Sequence, residues 1–192
     1  MAPILGILAS QISGHLWAPS GAYDSIATTT LSSTATSVDF TSISSAYTHL
    51  QLRIYANDNA TGADYNNFQI RFNSDTGANY SFHTLRGFGD TNIYSDSGIS
   101  QTASKIGFIL ANPAGAFTTE IVDILDYTNV NKYKTLRAIG GADVNAVNYS
   151  MAQVTSGAWF NTAAITGISI FSTGRTFAVN SSFALYGIKG GN

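Results

Sequence analysis

The chain has 192 residues, with nine basic and eleven acidic side chains, a net charge of −2 and no cysteine. Charged residues make up only 10% of it, while 44% is hydrophobic and 12% aromatic. These figures exclude a disordered chain, which needs low hydrophobicity and high net charge, and any disulfide or cysteine-metal scaffold. A coiled coil or helical bundle is excluded by the single glutamate, Glu120.

The 22 Ser, 21 Thr, 15 Asn and 18 Gly, set beside Tyr, Phe and Ile, fit an all-β domain, with β-branched and aromatic residues on pleated surfaces and small polar residues in turns. No basic run is present to neutralise phosphates or hold an anionic membrane, so neither nucleic acid nor membrane is expected as a partner.

Residues 1–23 read as an apolar N-terminal arm ahead of one domain, 24–192. Ile4, Leu5, Ile7 and Leu8 lie three and four apart and are the candidate partner-binding residues. The stretch has no Lys or Arg before it, as a secretory leader would, and it breaks at Ser10-Gln11, too soon for a membrane span. Four large aliphatic side chains call for burial, at about 1.5–3 kcal/mol each. Either the domain's own core or a neighbouring subunit supplies the cover.

From Asp24 onward the pattern has period two. Expected strands are Ser25–Leu31, Ser37–Phe40, Thr48–Asn57, Asn67–Asn73, Asn79–Arg86, Lys105–Leu110, Thr119–Asp126, Tyr133–Ile139, Val147–Val154, Ile165–Phe171 and Phe183–Ile188. In the clearest, Leu50, Leu52, Ile54 and Ala56 share a face opposite His49, Gln51, Arg53 and Tyr55. Asn73-Ser-Asp-Thr-Gly77 reads as a hairpin loop, and Asn112-Pro-Ala-Gly115 and Gly140-Gly-Ala-Asp143 as further breaks. Eleven short strands, no helix in the body and no repeat point to an antiparallel two-layer β-sandwich, jelly-roll-like. One hairpin has a definite register, with paired positions summing to 260. Asp123 then faces Arg137, Ile121 faces Ile139, Asp126 faces Lys134 and Tyr127 faces Tyr133.

Motifs for chemistry are lacking. There is no HExxH, GxSxG, P-loop or GxGxxG before a helix, and the sequence indicates no cofactor and no enzyme. His15, His49 and His83 fall on separate segments. Asp123 and Asp126, as a carboxylate pair in one strand, sit at odd separation and point to opposite faces. Asp58-Asn-Ala-Thr-Gly-Ala-Asp64 departs from calcium-loop spacing. A carbohydrate-binding face would draw on Trp17, Tyr55, Tyr65, Tyr94 and Trp159, whose alternative use is core or interface packing.

Tyr47-Thr-His-Leu-Gln-Leu-Arg-Ile-Tyr55, Ile70-Arg-Phe-Asn-Ser-Asp-Thr-Gly-Ala-Asn-Tyr80, Asp123-Ile-Leu-Asp-Tyr127, Lys132-Tyr-Lys-Thr-Leu-Arg137, Gly140-Gly-Ala-Asp143 and Ser182-Phe-Ala-Leu-Tyr-Gly-Ile-Lys189 together resemble a virion structural protein family. It belongs to tailed bacteriophages of aquatic cyanobacteria and other aquatic bacteria. The resemblance spans Asp24 to Gly190 and rests on strand and turn phrases, so it transfers no catalytic residues. It implies a non-enzymatic structural component of the phage particle, expected on the outer surface of the capsid if it is a decoration protein. A decoration, or cement, protein would bind across capsomer boundaries as a homo-oligomer, a trimer by preference, against the major capsid protein or other virion subunits. The alternative it implies is a tail-fibre or receptor-binding module that recognises host-surface glycan.

Overall fold

A computed structural model describes residues 22–60, 64–90, 92–111, 115–144 and 149–190. The partner-binding residues expected in the arm, Ile4, Leu5, Ile7 and Leu8, lie outside the described residues, as does Trp17.

Twelve strands and no helix occur among the described residues: β1 (Tyr23–Thr30), β2 (Ser37–Phe40), β3 (His49–Ala56), β4 (Asp64–Phe72), β5 (Tyr80–Phe88), β6 (Ile93–Gln101), β7 (Ser104–Ala111), β8 (Thr118–Leu125), β9 (Lys134–Ala142), β10 (Met151–Trp159), β11 (Ile168–Ser172) and β12 (Ser182–Ile188). They form two antiparallel sheets packed as a sandwich. The larger runs β1-β12-β3-β8-β9-β10-β5-β6 and the smaller β2-β11-β4-β7.

Alternation selects the packed face. Leu50, Leu52, Ile54 and Ala56 of β3 and Phe68, Ile70 and Phe72 of β4 are buried, as their spacing predicts. They join Val122, Ile124, Leu136, Phe183 and Leu185 in one core. At one end Trp159 packs on Phe72 and Tyr80, and its indole N–H donates to Asp75 Oδ2 at 2.7 Å. A buried indole needs such an acceptor.

Strand β6 is the one that alternation does not reveal. It hangs on the sheet edge through β5, and Ile93, Tyr94 and Ile99 are exposed along it. Strand β7 is buried on both faces, packing against β5, β8, β9 and β10 as well as pairing with β4. Lys105 of β7 is buried there and ion-paired to Asp96 of β6. Strand β10 starts later than its pattern suggests and runs on to Trp159, because its inward positions include Gln153, Thr155 and Gly157.

The β8–β9 register follows the sum rule from Thr119–Gly141 to Leu125–Thr135, with Asp123 opposite Arg137 and Ile121 opposite Ile139. Two expected pairs lie beyond the end of this ladder and are corrected. Asp126 takes a left-handed φ of 50° and turns the chain. Its carboxylate meets the Lys132 ammonium at 3.0 Å, not Lys134. Lys134 is buried, with Nζ donating to the carbonyls of Asn129, Lys132 and Thr162 at 2.5, 2.9 and 2.9 Å. Tyr127 turns into the core and donates to the Ser44 carbonyl, while Tyr133 stays exposed against Phe160.

Candidate functional site

Two surface features stand out from a body that is otherwise well paired. The first is the outer face of the large sheet. Ile121 of β8, Ile139 of β9, Val154 of β10 and Leu85 of β5 are cross-strand neighbours in sequence, each opposite the next. All four are exposed; Ile139 keeps 59% of its surface in solvent. The adjoining row is Gly141, Ala152, Gly87 and Ile93, again partner to partner. The small residues leave a shallow apolar depression of about 370 Å³ bounded by Leu85, Ile93, Ile139 and Val154. On the other side runs a polar row of Asp123, Arg137, Ser156 and His83, in which Arg137 Nε donates to Asp123 Oδ2 at 3.0 Å. The edge of the apolar face thus carries a pair that neutralises itself.

The second feature is a cavity of about 330 Å³ lined by Tyr65, Arg86, Phe88, Tyr94 and Tyr149, with Asp64 and Asp90 at its rim. It forms because β5 alternation puts Leu85 outward and Arg86 inward, toward β7 of the opposite sheet. The Arg86 guanidinium carbon lies 3.9 Å from the Phe108 ring centre, and 5.5 to 5.8 Å from those of Phe88, Tyr65 and Tyr94. Its Nε and Nη1 are buried without a hydrogen-bond partner. Four ring faces surround this cation, and a desolvated cation–π contact is worth about 2 kcal/mol or more. Asp64 is engaged by Arg175 Nη2 at 2.6 Å, and that bond, more than any other contact, holds its carboxyl below the usual range. Asp90 accepts from Asn92 and, at 3.0 Å, from the Tyr94 hydroxyl; the Asn92 bond is the main reason its carboxyl also stays low.

Of the aromatic residues named for carbohydrate contact, Tyr65 and Tyr94 meet in this cavity. Trp159 is core, and Tyr55 stacks on Phe117 elsewhere, with ring centres 4.5 Å apart. Arg86 and Asp90 were not named from sequence. The available signal was a charged residue on the inward register of β5.

The remaining candidates for chemistry are dispersed. His49 Nδ1 accepts from the Asp126 N–H at 2.9 Å, and His83 projects from the outer face of β5. Asp123 and Asp126 each sit in an ion pair. Asp58 and Asp64 flank Arg175, whose guanidinium lies 3.9 Å from one and 2.6 Å from the other. Among the described residues no group of three His, Cys, Asp or Glu could hold a metal ion, and no helix is long and apolar enough to cross a membrane. No protein-family model, curated protein or solved structure matches the chain.

Proposed function

We propose that the chain is a structural, non-enzymatic component of a tailed-phage particle, a capsid decoration protein that docks on the major capsid subunits through the outer face of its large sheet. The observation that carries this reading is the unbroken row Ile121–Ile139–Val154–Leu85. Four consecutive strands each presenting an aliphatic residue to solvent, at matched register, is a patch that a lone soluble domain has reason to avoid. Covered by a subunit, it would form the apolar centre of a permanent interface. Such interfaces bury about 2,000 Å² or more in total. The flanking Asp123–Arg137 pair is already satisfied within the chain, so little charge would lose its solvation without compensation.

The strand order supports the jelly-roll part of the reading. Strands β1, β12, β3 and β8 face β2, β11, β4 and β7, the interlocked order of two Greek keys. The pairs β5–β6 and β9–β10 are then insertions that widen the large sheet, and three of these four strands carry the aliphatic row. The apolar arm around Ile4, Leu5, Ile7 and Leu8 would add a second anchor, on a capsid subunit or within a trimer.

The test is co-sedimentation with particles stripped of this protein. Ile139→Asp with Val154→Asp should abolish binding while thermal unfolding stays cooperative. Deleting residues 2–17 should weaken binding separately. A doubly substituted protein that sediments with particles as the parent does would overturn the docking face.

A further inference from the structure

The aromatic cavity around Arg86 is not needed for docking, and its chemistry points to a ligand of a definite class. We infer that it is a binding site for a single neutral sugar ring. The inference goes beyond the docking proposal and stands or falls without it, since Leu85 faces the outer surface and Arg86 the space between the sheets.

Size is the first argument. About 330 Å³ is the low end of ligand-site volumes and suits one hexose better than an oligosaccharide or a nucleotide. The walls are the second. Tyr65, Phe88, Tyr94 and Tyr149 offer ring faces and phenol hydroxyls, which match a pyranose with its apolar C–H face and equatorial hydroxyls.

Charge is the third argument, and it selects neutral over acidic sugars. Arg86 brings one positive charge and Asp90 one negative. Asp64 is cancelled by Arg175 at 2.6 Å. The rim is therefore balanced, and a free carboxylate or phosphate entering it would meet the Asp90 carboxylate as well as the Arg86 guanidinium, with no net positive charge to draw it in. A polyhydroxylated ring instead uses both signs. One of its hydroxyls donates to Asp90, which keeps about one lone-pair site, on Oδ1, beyond its three bonds from Asn92 and Tyr94. Others accept from the Arg86 guanidinium where it lines the cavity, a group whose Nε and Nη1 have no hydrogen-bond partner in the protein. Two buried donors left unpaired cost the fold free energy, which a purely structural arginine has no reason to incur.

Saturation-transfer NMR on the full chain tests this, with D-glucose, D-galactose, D-mannose and N-acetyl-D-glucosamine as neutral probes and D-glucuronate as the anionic one. At least one neutral sugar should show transfer, with millimolar affinity. Asp90→Asn and Tyr94→Phe, both at the open rim, should each weaken that binding several-fold or more with the unfolding temperature retained. Arg86→Met should abolish it. Should that variant fail to fold, the two rim variants decide. Absence of transfer from every sugar, transfer from glucuronate alone, or neutral-sugar binding indifferent to both rim substitutions would overturn the site.

Discussion

Gln153 reaches across the sheet interior to donate to Glu120 Oε2 at 2.9 Å, and both residues are almost wholly buried. The same carboxamide also bonds the N–H and the carbonyl of Phe108, at 2.7 and 2.9 Å. The other Glu120 oxygen has no partner. Burial pushes the Glu120 carboxyl well above its ordinary value, and the Gln153 bond offsets only part of that. A raised acid stabilises the fold while protonated, so its contribution is full below the unfolded value of 4.5 and is lost as pH climbs toward the folded one. The loss per pH unit in that window approaches about 1.4 kcal/mol for one proton. Unfolding temperature should therefore decline from mildly acidic to neutral pH. Glu120→Gln should flatten that decline, and a variant with the parent's slope would contradict the assignment.

Gly140 lies beside this carboxylate, on the strand opposite. A β-carbon there would come within 2.2 Å of both Glu120 Oε2 and the Thr119 carbonyl. Gly140→Ala should cost about 1–3 kcal/mol in denaturant unfolding, as overpacking does. Gly167→Ala is the matched control. Its nearest obstacle is the Phe40 carbonyl at 3.7 Å, and it should fall within about 0.5 kcal/mol of the parent.

Lys134 is a buried ammonium satisfied only by the carbonyls of Asn129, Lys132 and Thr162. Removing the charge strands three acceptors at the β8–β9 turn. Lys134→Met, close in volume, should destabilise by about 1.5–3 kcal/mol, the range for hydrogen bonds to charged groups. Equilibrium urea unfolding gives the number.

The Asp123–Arg137 pair should behave oppositely. The arginine side chain is 72% exposed, so solvent screens the interaction. A double-mutant cycle with Asp123→Asn and Arg137→Gln should give a coupling of about 0.2–1 kcal/mol at low ionic strength. It should vanish in molar salt.

Strands β3, β4 and β5 were legible because one face packs and the other meets water, so burial writes itself into every second residue. The β8–β9 register was legible for a related reason: Asp123 and Ile121 have complementary partners at the same sum. That logic failed where the ladder ends. Nothing in the sequence says that Asp126 leaves the strand, which frees Lys132 to take its carboxylate and sends Lys134 inward. Strand β6 escaped notice because a solvated edge imposes no alternation, and β10 was misplaced because its inward Gln153 serves Glu120 and Phe108 rather than a greasy core. The cavity was half visible. Tyr65 and Tyr94 were candidates by residue type, but their meeting depends on β4 and β6 converging from different sheets around Arg86, a tertiary fact with no local trace. The aliphatic row was hidden likewise, since each of its members is a lone outward residue until the strands are set side by side.

The Lys189 N–H donates to the Ala22 carbonyl at 3.2 Å, and Lys189 and Asp24 form an ion pair at 2.7 Å across the same corner. The described body thus begins and ends at one corner, on the β1 margin. Strand β6 lies seven strand spacings away along the sheet, roughly 34 Å at about 4.8 Å each. A dye or surface linker joined at that corner would sit at the opposite edge of the large sheet from the Arg86 cavity, so immobilised protein could be probed with sugars without masking the pocket.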